Sequence, residues 1–199
     1  MTPARFVDPI SGRPAAMRGQ WPGRKLVSRS TDLVVEGFPG SANSFVSNTI
    51  RDHASSSTLV ESHFHYTVQL KRALALGIPA VVLVRDPRGA CDSMKSKQPE
   101  TWDLVIVLRW ILFHRFVRRH LDELHVFLFR DVVDDVDVVR RECEAVRSLV
   151  RGTLVPIEAY RRESSVRRRV NSDSVPVRWL LRRADRICRK IAVRCGSPR

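Results

Sequence analysis

Three short stretches of this chain hold residues whose types and spacing can do chemistry. The first is Gly37-Phe38-Pro39-Gly40-Ser41-Ala42-Asn43-Ser44, which joins a β-branched run, Asp32 to Glu36, to a segment of helical character from Asn43 to His53. A glycine-bearing turn at a helix start aims backbone N–H groups outward, and the helix dipole there favours an anion. Against the pattern GxxxxGK[ST], Gly37 and Ser44 fit, but Ala42 stands for the second glycine and Asn43 for the lysine. Without that lysine the loop has no charge to pair the β- and γ-phosphates, which argues against ordinary ATP or GTP hydrolysis. A phosphate or phosphosulfate still suits it. So does a tight turn with no ligand, and an alanine at position 42 is expected to avoid positive φ.

The second stretch runs Val84-Arg85-Asp86-Pro87-Arg88-Gly89-Ala90-Cys91-Asp92-Ser93. An apolar strand ends in an arginine, and a serine follows eight residues on, about one turn into a helix starting near Gly89. An arginine at a strand's carboxyl end lies where open α/β sheets bind ligands, and its planar fork can grip a phosphate. The plainer alternative is an arginine that satisfies the last carbonyls of its own strand. The third stretch is Ser62-His63-Phe64-His65. Its two imidazoles share a face of an extended segment and can move protons near neutral pH. They can equally be structural, and as a zinc pair they lack a third ligand in sequence.

These stretches need elements to hold them. Asp32–Glu36, Thr58–Glu61, Ala80–Val84 and His125–Phe129 read as strands, the third being a continuous apolar run suited to burial on both faces. Between and after them, Asn43–His53, Val68–Leu76 closed by Gly77, a helix near Gly89, Thr101–His120 and Val136–Val150 read as helices. Alternating strands and helices predict an α/β fold, a parallel sheet with helices on both faces. Residues 1–30, rich in Pro, Gly and Arg, predict a loosely ordered arm, and residues 31–152 the sheet domain. Residues 153–199 form a basic C-terminal extension, whose last helix, opened by Pro176, carries Val177, Leu180, Leu181, Ala184, Ile187, Cys188 and Ile191 on one face and arginines on the other.

Charge narrows the partners. The formal net charge is +14, and from Arg151 to Arg199 fourteen Arg or Lys face four Asp or Glu, so +10 of it sits in the last quarter. That surplus points to an anionic partner. Thin aromatic interleaving, Tyr160 and Trp179 only, argues against nucleic acid, whereas the basic last helix suits an acidic membrane surface or a solvated face packed on the domain. The most apolar stretch, Leu104–Val117, is broken by Arg109, His114 and Arg115 and is shorter than the ~20 residues of a membrane span. Cys91, Cys143, Cys188 and Cys195 lie far apart with no metal-ligand rhythm, and with no apolar leader they predict reduced thiols in the cytoplasm.

Taken in order, the three stretches resemble the sulfotransferase family. Its phosphosulfate loop has the form (Y/F)P(K/R)SG(T/N)(T/S)(W/F), and Phe38-Pro39-Gly40-Ser41-Ala42-Asn43-Ser44-Phe45 looks like it. The family's Arg and Ser eight positions apart match Arg85 and Ser93, and its histidine before a helix falls at Ser62–His65. The resemblance covers roughly Asp32 to Val150. It implies a P-loop-type fold and 3′-phosphoadenosine 5′-phosphosulfate (PAPS) as sulfuryl donor, without metal. It implies that Gly40, Ser41, Ala42, Asn43 and Ser44 hold the 5′-phosphosulfate, and that Arg85 and Ser93 hold the 3′-phosphate. His63, by the family register, or His65 would take the proton from a small-molecule or glycan acceptor. Two departures stand out. Gly40 replaces the family's loop Lys or Arg, for which Arg88, Lys71 or Arg72 are candidate substitutes, and the closing Arg-Lys-Gly motif is not visible. A catalytically weak or inactive nucleotide- or anion-binding module is therefore the alternative.

Overall fold

Four short parallel strands form one sheet in the order β2-β1-β3-β4. The computed structural model describes residues 26–156 and 168–196. Residues 1–25 of the arm expected over 1–30, and Tyr160, Arg161, Arg162 and Arg167, lie outside the described residues; the arm's end is packed rather than loose, since Val27 is buried in the first core and its amide donates to Gln69 Oε1 at 3.2 Å.

The strands are β1 (Leu33–Gly37), β2 (Val60–Ser62), β3 (Ala80–Val84) and β4 (His125–Leu128). Every residue of β1 and β3 is buried, which their apolar sequences allow because the sheet is covered on both faces. Alternate side chains feed two cores. Val34, Val82 and Val84 join the first; Leu33, Val35, Val81 and Leu83 join the second.

The first core is covered by α2 (Thr67–Leu76), α3 (Pro87–Lys97), α4 (Asp103–Arg119) and α8 (Val175–Arg194). The helix α2 stops at Gly77, whose φ of 66° is left-handed and lets its N–H reach back to Ala73 and Leu74 carbonyls. At the start of α3, the Asp86 side chain accepts from the Gly89 amide and Pro87 occupies the first turn. The helix therefore opens two residues earlier than expected, and Ser93 sits nearly two turns in. The last helix, α8, buries Val177, Leu180, Leu181, Ala184, Ile187 and Ile191 against this core, the apolar face read from sequence.

The second core is covered by α1 (Asn43–His53) and by α5 (Phe129–Asp134), α6 (Val138–Glu142) and α7 (Glu144–Leu149). The single helix expected over Val136–Val150 is two, broken at Cys143, whose backbone is extended at φ −119°, ψ 105°. Asp137 organises the break. Its buried carboxylate accepts from Arg140, Arg141 and the Leu154 amide, tying the incoming and outgoing chain together. Among the described residues no helix is long and apolar enough to cross a membrane.

Candidate functional site

Topology does the placing. β1 lies between β2 and β3, both parallel to it, so all three carboxyl ends emerge at one edge. The chain leaves β1 to form β2 on one side and returns to form β3 on the other. Such a switch point opens a crevice beyond the strand ends. The loop after β1 occupies that place, with the histidine segment after β2 on one flank and Arg85, just after β3, on the other.

The loop is a constrained turn. The Ser41 amide donates to the Phe38 carbonyl at 3.1 Å, and Ala42, the N-cap of α1, has φ 67° and ψ 19°. That left-handed alanine corrects the expectation of negative φ. An L-residue there costs about 1–2 kcal/mol, and the closed turn leading into α1 imposes it. The loop is latched by Asn43, whose Nδ2 donates to the Gly37 carbonyl at 3.0 Å. Gly37 is required for that latch, since a Cβ would stand 2.5 Å from Asn43 Oδ1 and 2.6 Å from the Leu83 carbonyl. Ser41 is fully buried with its hydroxyl sealed in, whereas Ser44 is exposed. The first-turn amides of Asn43, Ser44 and Phe45 precede the helical ladder, which begins with Val46 N–H to the Ala42 carbonyl. These are the groups through which α1 can hold an anion.

Arg85 grips the loop directly. Its Nη1 donates to the Gly40 carbonyl at 2.8 Å, not to carbonyls of its own strand. The guanidinium lies 4.3 Å from the Phe129 ring centroid and 3.7 Å from Asp86. Gly89 leaves room for it, since a Cβ there would stand 2.8 Å from Nε and 3.0 Å from Nη2. Gly40, at φ 83°, packs so closely on Ser93 that an added Cβ would overlap the Ser93 side chain. Arg85, Ser93 and the loop are thus in one cluster. Lys95 is committed elsewhere, to Asp103 at 3.0 Å and to the Thr101 carbonyl.

The histidines close the other flank. His63 places Nε2 2.6 Å from Ser44 Oγ and Nδ1 2.5 Å from Ser62 Oγ. Ser62 Oγ in turn accepts from Arg51 Nη2 at 3.0 Å. His65 Nδ1 lies 2.8 Å from the Gly37 carbonyl, which only accepts, and 3.2 Å from Asn43 Nδ2, so the ring is seated against the same loop backbone that Asn43 latches. Both histidines have positive φ, 71° and 59°, an uncommon backbone for such side chains. Glu36 holds them there. Fully buried at the end of β1, its carboxylate accepts from the Phe64 amide at 2.7 Å and the His65 amide at 2.9 Å.

All nine residues selected from sequence therefore fall in this cluster. Sequence reasoning missed Glu36 and Arg51, and gave Ser62 no role within its stretch. The signal for Glu36 was a single carboxylate inside an otherwise apolar strand. Chemically the arrangement combines a helix N-terminus, a positioned guanidinium and an imidazole between two hydroxyls, which is a set for binding an anion and moving a proton beside it. No protein-family model, curated protein or solved structure matches this chain.

Proposed function

We propose that this edge of the sheet is a P-loop-type site that binds PAPS and transfers its sulfuryl group to a hydroxyl or amine acceptor. One observation carries the reading: a helix N-terminal loop, Arg85 and His63 meet at a single switch point, with Arg85 on the Gly40 carbonyl and His63 on the Ser44 hydroxyl. The amides of Asn43, Ser44 and Phe45 and the Ser44 hydroxyl hold the 5′-phosphosulfate. The remaining donors of Arg85, with Ser93, face the 3′-phosphate. Ser41, sealed beneath the turn, acts by shaping it rather than by contact.

In the transfer, the acceptor oxygen or nitrogen attacks sulfur in line. Its proton passes to His63 Nε2, and the bond from sulfur to the 5′-phosphate oxygen breaks, releasing adenosine 3′,5′-bisphosphate. His63 suits the base role because its Nε2 lies 2.6 Å from the Ser44 hydroxyl, in the first turn of α1 that holds the phosphosulfate. The second reading, a binding module without transfer, is favoured by Gly40. Its contact with Ser93 leaves no space for a cation from that position to meet the leaving oxygen. Loss of such a donor costs about 10²–10³ in rate.

Titration with adenosine 3′,5′-bisphosphate in the presence of a chelator tests the site. Saturable binding that is lost in Arg85→Ala is expected, and binding only of magnesium-ATP would sink the proposal. Donor turnover then separates the two readings. A rate unchanged in His63→Ala removes His63 from the mechanism, and no turnover by a protein that binds tightly leaves the binding module.

A further inference from the structure

Away from the sheet edge, α4 and α8 run side by side in the same direction. Their starts are tied by the Asn171 amide donating to Asp103 Oδ2 at 2.7 Å, and their ends by Arg194 Nη2 donating to Asp122 Oδ1 at 2.9 Å. The outer faces of the two helices form a groove of about 370 Å³ lined by Arg115, Arg118, Trp179, Arg183, Arg186, Ile187 and Lys190. Five of those seven side chains are cationic and none is acidic. The one acid of α8, Asp185, is two residues from Arg183 and so lies about 200° around the helix.

The face is not basic throughout. Along α8, Val175, Trp179, Arg183, Arg186, Lys190 and Val193 recur at spacings of three and four, and so share one side. On α4, Leu104, Leu108, Leu112 and Arg115 do the same. Trp179 is 54% exposed, Leu112 47% and Val175 67%, next to the cations rather than beneath them. An indole and aliphatic side chains held in water beside a carboxylate-free cluster of Arg and Lys match an anionic bilayer surface. There the apolar groups enter the boundary between headgroups and acyl chains while the cations meet lipid phosphates and carboxylates. A nucleic-acid backbone would use the charge but give the exposed leucine and valine nothing to bury against, and Trp179 is the groove's single stacking platform.

We infer that the α4–α8 face docks the protein on membranes containing anionic phospholipid, with Trp179 and Leu112 entering the interface and Arg115, Arg118, Arg183, Arg186 and Lys190 binding headgroups. This does not depend on the nucleotide site. The full chain, incubated with phosphatidylcholine vesicles with and without phosphatidylserine, should cosediment with the anionic vesicles only, and rising salt should release it. Trp179 emission should shift to the blue on binding, a change absent from Trp179→Phe. Replacing Arg183 and Arg186 together by Gln should weaken vesicle binding about 30-fold, from the usual contribution of each basic side chain near such a surface. Trp179→Ala and Leu112→Ser, both at exposed positions, should weaken it without disturbing the circular dichroism of the fold. The inference is overturned if anionic vesicles are not bound, if binding is indifferent to these substitutions, or if a single-stranded oligonucleotide is bound and vesicles are not. A dimer that dissociates in Trp179→Ala and ignores vesicles also overturns it, assigning the face to a second copy.

Discussion

Gly40 stands where a charged residue is expected, and its surroundings give the reason. The backbone there is left-handed at φ 83°, and the space a side chain would need is taken by Ser93. Gly40→Ala should therefore cost about 2–4 kcal/mol, backbone strain and steric overlap together. Making Ser93→Gly in the same chain removes the overlap and should leave about 1–2 kcal/mol from the backbone alone. Urea melts of the two single variants and the double variant check this, and simple additivity would show that the two residues do not meet. The sequence marks Gly40, Arg85 and Ser93 as candidate site residues by type and spacing. Their mutual contact was not legible, because it joins the ends of two different strands. Ala42 was misjudged for a related reason: positive φ is a local cost, and the loop's tertiary closure overrides it.

Elements, rather than residues, hold the histidine flank. Neither His63 nor His65 would adopt left-handed backbone unaided, and the brace comes from another strand through Glu36. Glu36→Gln keeps the shape but turns one acceptor into a donor facing an amide N–H. It should cost about 1–3 kcal/mol, and the Phe64 and His65 amides should exchange with solvent faster than their neighbours. Uniform exchange across the segment would mean that the brace does not hold it. Strands and helices with strong periodicity were readable. Ala80–Val84 is bounded as its apolar run suggests, and Asn43–His53 likewise. The break at Cys143 was not, because Val139, Cys143, Val146 and Val150 keep helical spacing and are all buried, while no Gly or Pro marks the interruption. The carboxylate of Asp137 sets that boundary through a contact the periodicity does not show, the Leu154 amide 17 residues further along the chain.

Across the whole molecule, each face of the sheet carries a buried titratable group, and the two respond to acid in different windows. In the first core His114 is fully enclosed, stacked on Trp110 at 3.7 Å, with Nδ1 bonded to the Trp110 carbonyl at 2.8 Å. Burial pushes its pKa down from 6.5 to about 3, so the fold holds it neutral. Its contribution is complete above pH 6.5 and is lost as pH falls towards 3. In the second core Asp137 is held down to about 2, chiefly by its hydrogen bond from Arg140, so its contribution survives until pH drops below the ordinary 3.8. Stability from urea melts should thus decline from pH 7 downward by up to about 1.4 kcal/mol per pH unit through His114, with a smaller part from half-buried His125, which burial also lowers. His114→Leu, apolar and of similar size, should remove most of that slope down to about pH 4 and leave the loss below it to Asp137. An unchanged slope in His114→Leu would mean that the imidazole is not held neutral by the core. Phe38, in the loop after β1, lies 6.4 Å from the His114 ring and shares the first core with the helix that carries it, so the packing that keeps His114 neutral also lies against the candidate site.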